Sequence, residues 1–440
     1  MEIINETKSL CAICERVIPA KIYEENGRIF IKGKCELHGE QVSDHVWDDP
    51  EVYAGMKAIK TATGGARQVI VDVTRKCNLN CKVCFANANE YQGNPFILED
   101  IDRTKEYRQV FLSGGEPTTH KDIFKIIRRL ARNGQRPILF TNGIKLADKN
   151  FVRKLARAGL RSVLLQLDTL KSDDSKYIRG GDLVSLKFKA LRNLEEFSIP
   201  TAVWTVVVRD KNLRDLKNIH ARLFRFKNIK TVSAIPIWRV GRFEERDFEP
   251  PSSIIRKLCK IYSLKTNDFV ETTRFVCDID RFLSIFDSNR GRLFGKCMSK
   301  ALIFQFKHEW IPIGKIFDLA EINRRLDVVI DNRKKFPFVF NFFVYLLLNQ
   351  ICLNFFRNKY FRSMSWRFLT NLRYLFNKKF LMINPFRFIT VGIFPNAKNI
   401  DLDFIEPCNS YAYGCDDYAF RPACLHYINL DRKKQKISSK

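Results

Sequence analysis

The chain has 440 residues, enough for two or three domains of about 150 residues each. Hydrophobic residues make up 45% and charged residues 28%, a balance that excludes a wholly disordered chain. The 76 Lys and Arg residues against 48 Asp and Glu give a net charge of +28. This charge favours an anionic partner, such as a nucleic acid, an anionic membrane or a phosphorylated substrate, but nucleic-acid binding does not explain the 37 phenylalanines.

The 13 cysteines are too few for a small disulfide scaffold in a chain of this length. The first ten residues, MEIINETKSL, lack the basic region and apolar core of a secretory signal, so we expect a cytoplasmic protein. In that compartment cysteines are expected to bind metal.

The first 62 residues predict a small metal-binding domain with four candidate ligands in two close pairs: Cys11, Cys14, Cys35 and His38. Between the pairs, two β-branched runs flank Asn26-Gly27, which is typical of a β-hairpin turn. Three thiols and an imidazole on a hairpin suit a tetrahedral zinc or a rubredoxin-like iron. The alternative is a set of unrelated buried thiols with a surface histidine.

Residues 66–250 show the pattern of a parallel α/β sheet. Short β-branched runs alternate with segments that carry apolar residues at three- and four-residue spacing, as in 122–133. Gly134 and Gly159 follow two of these predicted helices as stop signals. Six such units predict an α/β fold, a partial (β/α)6 TIM-like barrel. The strands are expected to begin near Val69, Val110, Ile138, Val163, Ala202 and Thr231.

The loops after these strands carry the predicted chemistry, because barrel active sites lie at the C-terminal ends of the strands. The first loop holds three cysteines at CxxxCxxC spacing: Cys77, Cys81 and Cys84. Three thiolates on one loop suit three irons of a [4Fe–4S] cluster and leave the fourth iron open, whereas a closed zinc site needs a fourth ligand nearby. After the second strand, Gly114 and Gly115 leave the backbone accessible to a ligand, and Glu116 can accept from an ammonium group.

These motifs resemble the radical SAM superfamily, through the three cysteines, Gly114-Gly115-Glu116-Pro117 one strand later and the run of βα units. The resemblance implies that the cysteines ligate a [4Fe–4S] cluster whose open iron binds S-adenosylmethionine (SAM). It also implies that reductive cleavage of SAM gives a 5′-deoxyadenosyl radical, which abstracts hydrogen from an unactivated C–H bond. The glycines and Glu116 would contact the methionine end of SAM. Candidates for contacts to the rest of SAM, which equally suit ordinary loop roles, are Asn142, Gln166 and Asp168.

A second set of segments resembles one branch of this superfamily: the paired residues at 11–14 and 35–38, the loop 77–86, and the segments 165–194 and 235–242. Over roughly residues 8–330 and a short piece near 418–427, the chain resembles the archaeal tetraether lipid synthases, formerly labelled pterin methyltransferases. This resemblance implies coupling of two lipid tails, with hydrogen abstraction from a terminal methyl group and a new carbon–carbon bond. It also implies an auxiliary iron–sulfur cluster, held by cysteines in predicted domains at 251–331 and 401–440. The candidate ligands are Cys277, Cys297, Cys408, Cys415 and Cys424.

Residues 332–400 form a basic, Phe-rich block with 12 Lys and Arg, 14 Phe and no Asp or Glu. Within it, the largely apolar segment 336–356 is flanked by basic residues. We interpret the block as helices in a membrane interface, with apolar side chains in the acyl boundary and cations among anionic headgroups. A spanning helix and a buried helix with a solvated basic face are the alternatives. The interpretation predicts a cytoplasmic protein bound peripherally at the cytoplasmic face of a membrane.

The leading functional hypothesis is a radical SAM enzyme that acts on a lipid alkyl chain at an anionic membrane surface, with ferredoxin or flavodoxin as electron donor. Its rivals are a radical SAM methyltransferase of a pterin-like molecule, a peptide-modifying enzyme, and a non-enzymatic metal-binding module with acidic partners. Nucleic acid is disfavoured because the aromatic residues occur in runs such as FFVYLLL rather than singly among Lys and Arg.

Overall fold

The computed structural model describes residues 2–43, 47–90, 96–286, 294–306, 309–332, 360, 386–393, 400–414 and 418–429. Most of the basic block predicted at 332–400, including the segment 336–356, therefore lies outside the described residues, as does Cys415. Among the helices that are described, none has the length and apolarity needed to cross a membrane.

The N-terminal residues form a four-stranded antiparallel sheet that contains the predicted hairpin. In spatial order its strands are β1 (Glu2–Leu10), β2 (Val17–Glu25), β3 (Arg28–Cys35) and β4 (Gly39–Val42). Asn26 and Gly27 connect β2 to β3 with φ angles of 52° and 72°, as a type I′ turn requires. We call residues 2–43 the N-terminal sheet.

Asp401 fastens the N-terminal sheet to a distant part of the chain. Its buried carboxylate accepts hydrogen bonds from Thr7 of β1 at 2.6 Å and from Tyr53 at 3.1 Å, and it forms an ion pair with Lys57 at 2.8 Å. Tyr53 and Lys57 belong to helix α1 (Pro50–Ala58), which connects the two sheets of the molecule.

The second sheet has eleven strands and confirms the predicted partial barrel. Its six central strands are parallel and adjacent in chain order: β5 (Gln68–Thr74), β6 (Gln109–Gly114), β7 (Arg136–Thr141), β8 (Ser162–Gln166), β9 (Thr201–Val207) and β10 (Ile229–Pro236). The helices between them are α2 (Asp100–Arg103), α3 (Ile123–Arg132), α4 (Lys149–Ala158), α5 (Ser172–Arg179), α6 (Val184–Glu196) and α7 (Leu216–Leu223). Each predicted strand start falls in one of these strands.

Alternation along the strands sends every second side chain toward the inside of the barrel. In β9, Val203 and Val207 are buried in the main hydrophobic core, whereas Trp204 and Val206 line an interior cavity. The core lies between the sheet and the helices, where α3 contributes its buried apolar face.

Later segments extend the sheet at both edges. Beyond β10, strands β11 (Met298–Phe306) and β12 (Glu309–Pro312) are antiparallel, and β11 joins the sheet through β13 (Phe386–Gly392), which is parallel to β10. Beyond β5, strand β14 (Ser410–Gly414) pairs in parallel and β15 (Ala419–Pro422) follows it. In the described part of the chain the end strands β12 and β15 do not pair, so the barrel is open. The other described helices are α8 (Pro251–Tyr262), α9 (Thr266–Ser284), α10 (Leu319–Asn332) and α11 (Leu402–Ile405).

Strand β13 differs from the sequence prediction, which assigned residues 386–392 to interfacial helices. Ile389 and Val391 of this strand are fully buried in the core of the barrel. The difference arises because the basic block was interpreted from its composition, which does not show that one short segment pairs with strands far away in the sequence.

Candidate functional site

A cavity opens among the C-terminal ends of the parallel strands. It holds about 1420 Å³ of space not filled by protein, including its open mouth. Its lining contains all but one of the residues predicted for the cluster and for SAM: Cys77, Cys81, Cys84, Gly114, Gly115, Glu116, Asn142 and Gln166. The exception, Asp168, is buried and does not line the cavity. The fold brings these residues into one site, and their roles toward ligands stay predictions.

Asn89 holds the cysteine loop in shape. Its side-chain oxygen accepts the backbone N–H of Cys77 at 2.8 Å, and its amide nitrogen donates to the carbonyls of Cys77 and Leu79 at 3.2 Å each. Asn89 has a φ of 71°, a left-handed conformation that asparagine adopts more readily than most residues. Burial raises the pKa of the Cys77 thiol to about 11. Such a thiol becomes a ligand when a metal ion displaces its proton.

The three thiols of this loop are not gathered as closely as ligands to a single ion would be. Among the described residues, one group of three or more Cys, His, Asp or Glu side chains has all its ligand atoms within 4.8 Å of one another, and it lies in the N-terminal sheet. The sulfurs of Cys77, Cys81 and Cys84 are spread more widely. Thiolates bound to different irons of a cube are farther apart than thiolates that share one zinc ion.

Gly114 and Gly115 make room for the backbone of the cysteine loop. A Cβ at Gly114, whose φ is 111°, would lie 2.2 Å from the carbonyl oxygen of Thr74. A Cβ at Gly115 would lie 2.3 Å from that of Lys76. The glycines are therefore required by contact within the protein, which is a different reason from the ligand access expected from the sequence.

The Glu116 carboxylate connects the ends of two strands. Its Oε1 accepts hydrogen bonds from the Thr118 backbone at 3.1 Å and from the hydroxyls of Thr118 and Thr141 at 2.6 and 2.7 Å. Its Oε2 accepts the backbone N–H of Asn142 at 2.7 Å. Burial raises the pKa of Glu116, and these hydrogen bonds oppose the rise. Oε2 receives a single protein donor among the described residues, so it can still accept from a ligand.

The other three candidates are engaged by the protein itself. Asn142 donates from Nδ2 to Asn78 of the cysteine loop at 2.8 Å. Gln166 donates to the carboxylate of Asp168. Asp168 also accepts the backbone N–H of Val206 at 2.9 Å. These bonds connect the ends of neighbouring strands and the cysteine loop to one another.

The sequence did not single out two buried cations at the cavity: Arg179 of α5, which lines it, and Lys187 of α6, which does not. Arg179 binds the Asp168 carboxylate at 2.8 and 3.1 Å and donates to the Val83 carbonyl at 3.2 Å. Burial disfavours both charges, but the ion pair raises the pKa of Arg179 and lowers the pKa of Asp168. Lys187 donates to the backbone and side-chain oxygens of Gln166 at 2.6 and 2.9 Å, and burial lowers its pKa to about 8.

The loop after β10 closes against the cysteine loop. Arg242 and Cys84 exchange two backbone hydrogen bonds of 2.9 Å. Gly241 has a φ of 77°, and a Cβ there would lie 2.2 Å from the Cys84 carbonyl oxygen. The Arg242 side chain lines the cavity and donates to Asn80 and Glu90 through Nη1. The segment 235–242 carries part of the family resemblance, but the sequence does not reveal this contact.

The remaining wall of the cavity is apolar and aromatic. Phe140 and Trp204 pack with ring centroids 5.2 Å apart. Phe85, Trp238 and Tyr427 pack against one another with centroids between 4.8 and 5.9 Å apart. The aliphatic members of the wall are Ile70, Leu79, Val83, Leu164, Val206, Ile235 and Ile237.

The described auxiliary candidates come from four separate segments: Cys277 in α9, Cys297 before β11, Cys408 before β14 and Cys424 after β15. Burial raises the pKa of Cys424, and the charges of Cys408 and Cys297 raise it further. Burial also raises the pKa of Cys277 to about 11, with a smaller contribution of the same sign from Cys297. The fold therefore gathers these thiols into one region, and Cys424 also lines the cavity.

The ligands predicted in the N-terminal sheet converge: the ligand atoms of Cys11, Cys14, Cys35 and His38 lie within 4.8 Å of one another. The sulfurs of Cys14 and Cys35 are 3.8 Å apart, and Nδ1 of His38 lies 3.6 and 3.5 Å from the sulfurs of Cys11 and Cys35. A tetrahedron with Zn–S bonds of about 2.3 Å and Zn–N bonds of about 2.0 Å has S–S edges of about 3.8 Å and S–N edges of about 3.5 Å. The spacing fits one tetrahedral ion with His38 as a ligand.

Gln41 of β4 is a neighbour of this metal site that the sequence did not reveal. Its Nε2 donates to the Cys11 sulfur at 3.1 Å, and its Oε1 accepts the backbone N–H of Ala12 at 2.9 Å. Burial by itself raises the pKa of Cys11, but hydrogen bonds from the backbone of Cys14 and Ile13 and from Gln41 lower it to about 6. These hydrogen bonds therefore favour the thiolate of Cys11, which is the form that binds metal. Pairing of β4 with β3 places Gln41 here, and no local motif marks it.

Two family matches coincide with the two sites. Residues 71–223 match the radical SAM superfamily, and residues 3–48 match the HMPTM N-terminal zinc ribbon domain. The first match implies a [4Fe–4S] cluster and SAM for the cavity. The second, together with the convergent ligands, supports a metal ion in the N-terminal sheet.

Curated relatives match part of the chain. The 7,8-dihydro-6-hydroxymethylpterin dimethyltransferase of Methanocaldococcus jannaschii is 32% identical over 283 residues, which are 55% of this chain and 55% of that protein. The Fe-coproporphyrin III synthase of Methanosarcina barkeri is 28% identical over 158 residues, 34% of this chain and 39% of that protein. The chain thus spans about half the length of the curated relatives that it matches. Among solved structures, Streptococcus suis SuiB bound to precursor peptide SuiA covers 48% of each chain at 19% identity with a TM-score of 0.40, a likeness too low to carry an argument.

Replacing Gln41 by Ala is expected to lower the metal affinity of the N-terminal sheet by roughly 10- to 100-fold, as loss of a partner that hydrogen-bonds a ligand does elsewhere. Without this donor the pKa of Cys11 rises, so protons compete with the metal at higher pH. Both effects are measured by competition with a chromophoric zinc chelator at pH values from about 5.5 to about 8. This range brackets the Cys11 pKa of about 6. Glu40→Ala is the control, since Glu40 pairs with Lys32 at the surface. Equal affinities for the Gln41 variant and the parent would show that this bond is unimportant.

Replacing Gly241 by Ala is expected to cost most of the iron bound at the cysteine loop, because the new methyl group collides with the backbone of Cys84. Gly65→Ala is the matched control, since a Cβ there meets nothing within 4 Å. Iron content after anaerobic reconstitution measures the effect, and zinc content of the N-terminal sheet reports whether the remainder is folded. A Gly241 variant that retains the iron of the parent would refute the steric argument.

Proposed function

Because residues 71–223 form a radical SAM domain, we propose that the chain is a radical SAM enzyme that abstracts hydrogen from an unactivated C–H bond of a lipid alkyl chain, as a step toward a new carbon–carbon bond. The observation that carries the choice of substrate is the apolar and aromatic wall of the cavity beside the three cysteines.

The residues of the cavity fit the cofactors of this chemistry. Cys77, Cys81 and Cys84 would hold the cluster, and Glu116 has an oxygen with remaining capacity to accept from an ammonium group. When bound and reduced, the cluster and SAM supply a 5′-deoxyadenosyl radical. The protein's own part is to position the substrate and to exclude water, and the packed aromatic side chains of the wall suit both tasks.

The apolar wall favours a hydrocarbon over a polar ring system. A site for a heterocycle would need several hydrogen-bonding groups free to meet it. On the described wall, Gln166 is already bound to Asp168 and Lys187, and Arg179 is bound to Asp168. An alkyl chain needs only apolar contacts, and the aliphatic and aromatic side chains of the wall provide them.

Composition supports a membrane as the source of such a chain. The net charge of +28 and the basic, Phe-rich block at 332–400 suit an anionic lipid surface. We accordingly propose peripheral binding at the cytoplasmic face of a membrane. A small electron-transfer protein such as ferredoxin or flavodoxin would supply the electron.

A second candidate function is methylation of a pterin. It is favoured by the name of the Methanocaldococcus jannaschii relative, which is 32% identical over 55% of this chain. The mainly apolar and aromatic lining of the cavity argues against it. The two candidates share the radical and differ in the molecule that loses hydrogen, so they can be separated by labelling.

We also propose that Cys277, Cys297, Cys408 and Cys424 hold an auxiliary iron–sulfur cluster. The support is that four segments of the chain bring these thiols into one region, where burial and mutual repulsion would make bare thiolates unfavourable. Iron removes that penalty by binding the thiolates directly.

Deuterium transfer tests the substrate assignment. Reduced, cluster-loaded protein given SAM and a phospholipid with perdeuterated alkyl chains is expected to form 5′-deoxyadenosine that contains deuterium, detected by mass spectrometry. Cys81→Ala is expected to form none, because it lacks a cluster ligand. Unlabelled 5′-deoxyadenosine from the lipid, with labelled product from a deuterated pterin, would reject the lipid and keep the radical chemistry.

A pair of tryptophan variants shows whether the chain occupies the cavity. Trp204→Ala removes part of the wall and is expected to lower deuterium transfer from the lipid by at least about tenfold, since small displacements of a reacting atom are costly. Trp310→Ala is the control, because Trp310 packs against Phe224 and does not line the cavity. Equal loss in both variants would mean general destabilisation rather than a lost contact with substrate.

Iron analysis tests the auxiliary cluster. Two [4Fe–4S] clusters predict roughly eight irons per chain, and Cys297→Ala is expected to leave roughly four. Cys259→Ala is the control, because Cys259 is buried in α8 and is not among the candidate ligands. An iron content of roughly four in the parent would rule out the auxiliary cluster.

A further inference from the structure

Nitrogen donors lie close to the thiols of the cysteine loop. The backbone N–H of Leu79 donates to the Cys77 sulfur at 3.4 Å. The side chains of Arg179 and Arg242 line the cavity together with Cys81 and Cys84. Two guanidinium groups, from α5 and from the loop after β10, therefore flank two of the three thiols.

Both arginines are held in place by other bonds. The two bonds from Arg179 to Asp168 and its bond to the carbonyl of Val83 fix it beside the loop, since Val83 lies between Cys81 and Cys84 in the chain. The backbone bridge between Arg242 and Cys84 fixes the second arginine.

The Arg242 side chain has two buried N–H donor groups without a hydrogen-bond acceptor among the described residues. Its Nη1 binds Glu90 at 3.0 Å, but Nε and Nη2 are buried and have no hydrogen-bond partner among the described residues. Buried N–H groups without a partner are costly and rare in folded proteins. The neighbouring sulfur of Cys84 becomes a strong acceptor when it is a thiolate. When the loop holds metal, the Cys84 thiolate can therefore accept hydrogen bonds from Nε and Nη2 of Arg242.

We propose that Arg179 and Arg242 donate N–H···S hydrogen bonds to the Cys81 and Cys84 thiolates of the bound cluster and thereby raise its reduction potential. Hydrogen bonds and positive charge at the sulfurs stabilise the reduced cluster, which carries one more negative charge than the oxidised cluster. The arginines are positioning residues, because they act through the ligands and not on the substrate. This inference rests on the proposed function, since it requires a cluster at the cysteine loop.

Arg242 is expected to have the larger effect. The charge of Arg179 is offset by Asp168 inside the protein, where both side chains are at most 8% exposed. Arg242 pairs with Glu90, whose side chain is 30% exposed, so solvent weakens that pair and leaves more of the arginine's field at the cluster.

A redox titration followed by electron paramagnetic resonance tests the inference without measuring turnover. The full chain is reconstituted anaerobically, and the signal that changes on addition of SAM identifies the cluster at the cysteine loop. Arg242→Gln is expected to lower the equilibrium constant for one-electron reduction about tenfold, which is about 59 mV in midpoint potential. Arg242→Lys, which keeps the charge but not the planar donor, is expected to give a smaller decrease. Arg246→Gln is the control, because Arg246 pairs with Glu244 on the exposed surface.

The outcomes are distinct. An Arg242→Gln cluster with the iron content and midpoint potential of the parent overturns the inference, as does an equal shift in Arg246→Gln. If Arg242→Gln holds no iron, Arg242→Lys decides: a lowered potential supports the hydrogen bond, and a parental one overturns it. A parent chain that binds no cluster at the three cysteines rejects the proposed function itself.

Discussion

The architecture of the cavity depends on three buried carboxylates at or near the C-terminal ends of the parallel strands: Asp72, Glu116 and Asp168. A carboxylate removed from water costs several kcal/mol unless donors replace the lost hydration. Each finds its donors on another part of the chain, Tyr427 for Asp72, the Asn142 backbone for Glu116 and Arg179 for Asp168. Because none of these charges can be left bare, the loops that carry the cysteines and the cavity wall are held in one arrangement.

The local parts of this arrangement could be predicted, because short-range patterns record them. The spacing of the three cysteines, the Gly-Gly-Glu sequence and the alternation of strands and helices each lie within a short segment. The ligands of the N-terminal sheet are equally local. What could not be predicted depends on contacts between distant segments: Arg242 against Cys84, Gln41 against Cys11, and β13 within a block whose composition suggested something else.

The same internal pairing gives the cavity its chemical character. Polar groups on and behind its wall, such as Gln166 and Arg179, are satisfied by other protein groups, so the face toward the interior is mainly hydrocarbon. Such a surface suits an apolar substrate and also offers few polar partners to a reactive intermediate. The site in the N-terminal sheet differs from the cavity, because its four ligand atoms come from the protein and lie at the distances expected for one tetrahedral ion.

The wall of the cavity is drawn from widely separated parts of the sequence. The cysteine loop begins at Cys77, whereas Cys424 and Tyr427 on the same wall belong to a segment that joins the barrel beside β5 through β14. Proteins are made and begin to fold from the N-terminus. When all six parallel strands have been synthesised, the residues that form this side of the cavity have not yet been made. The cavity wall can therefore be completed only after residue 427 has been synthesised.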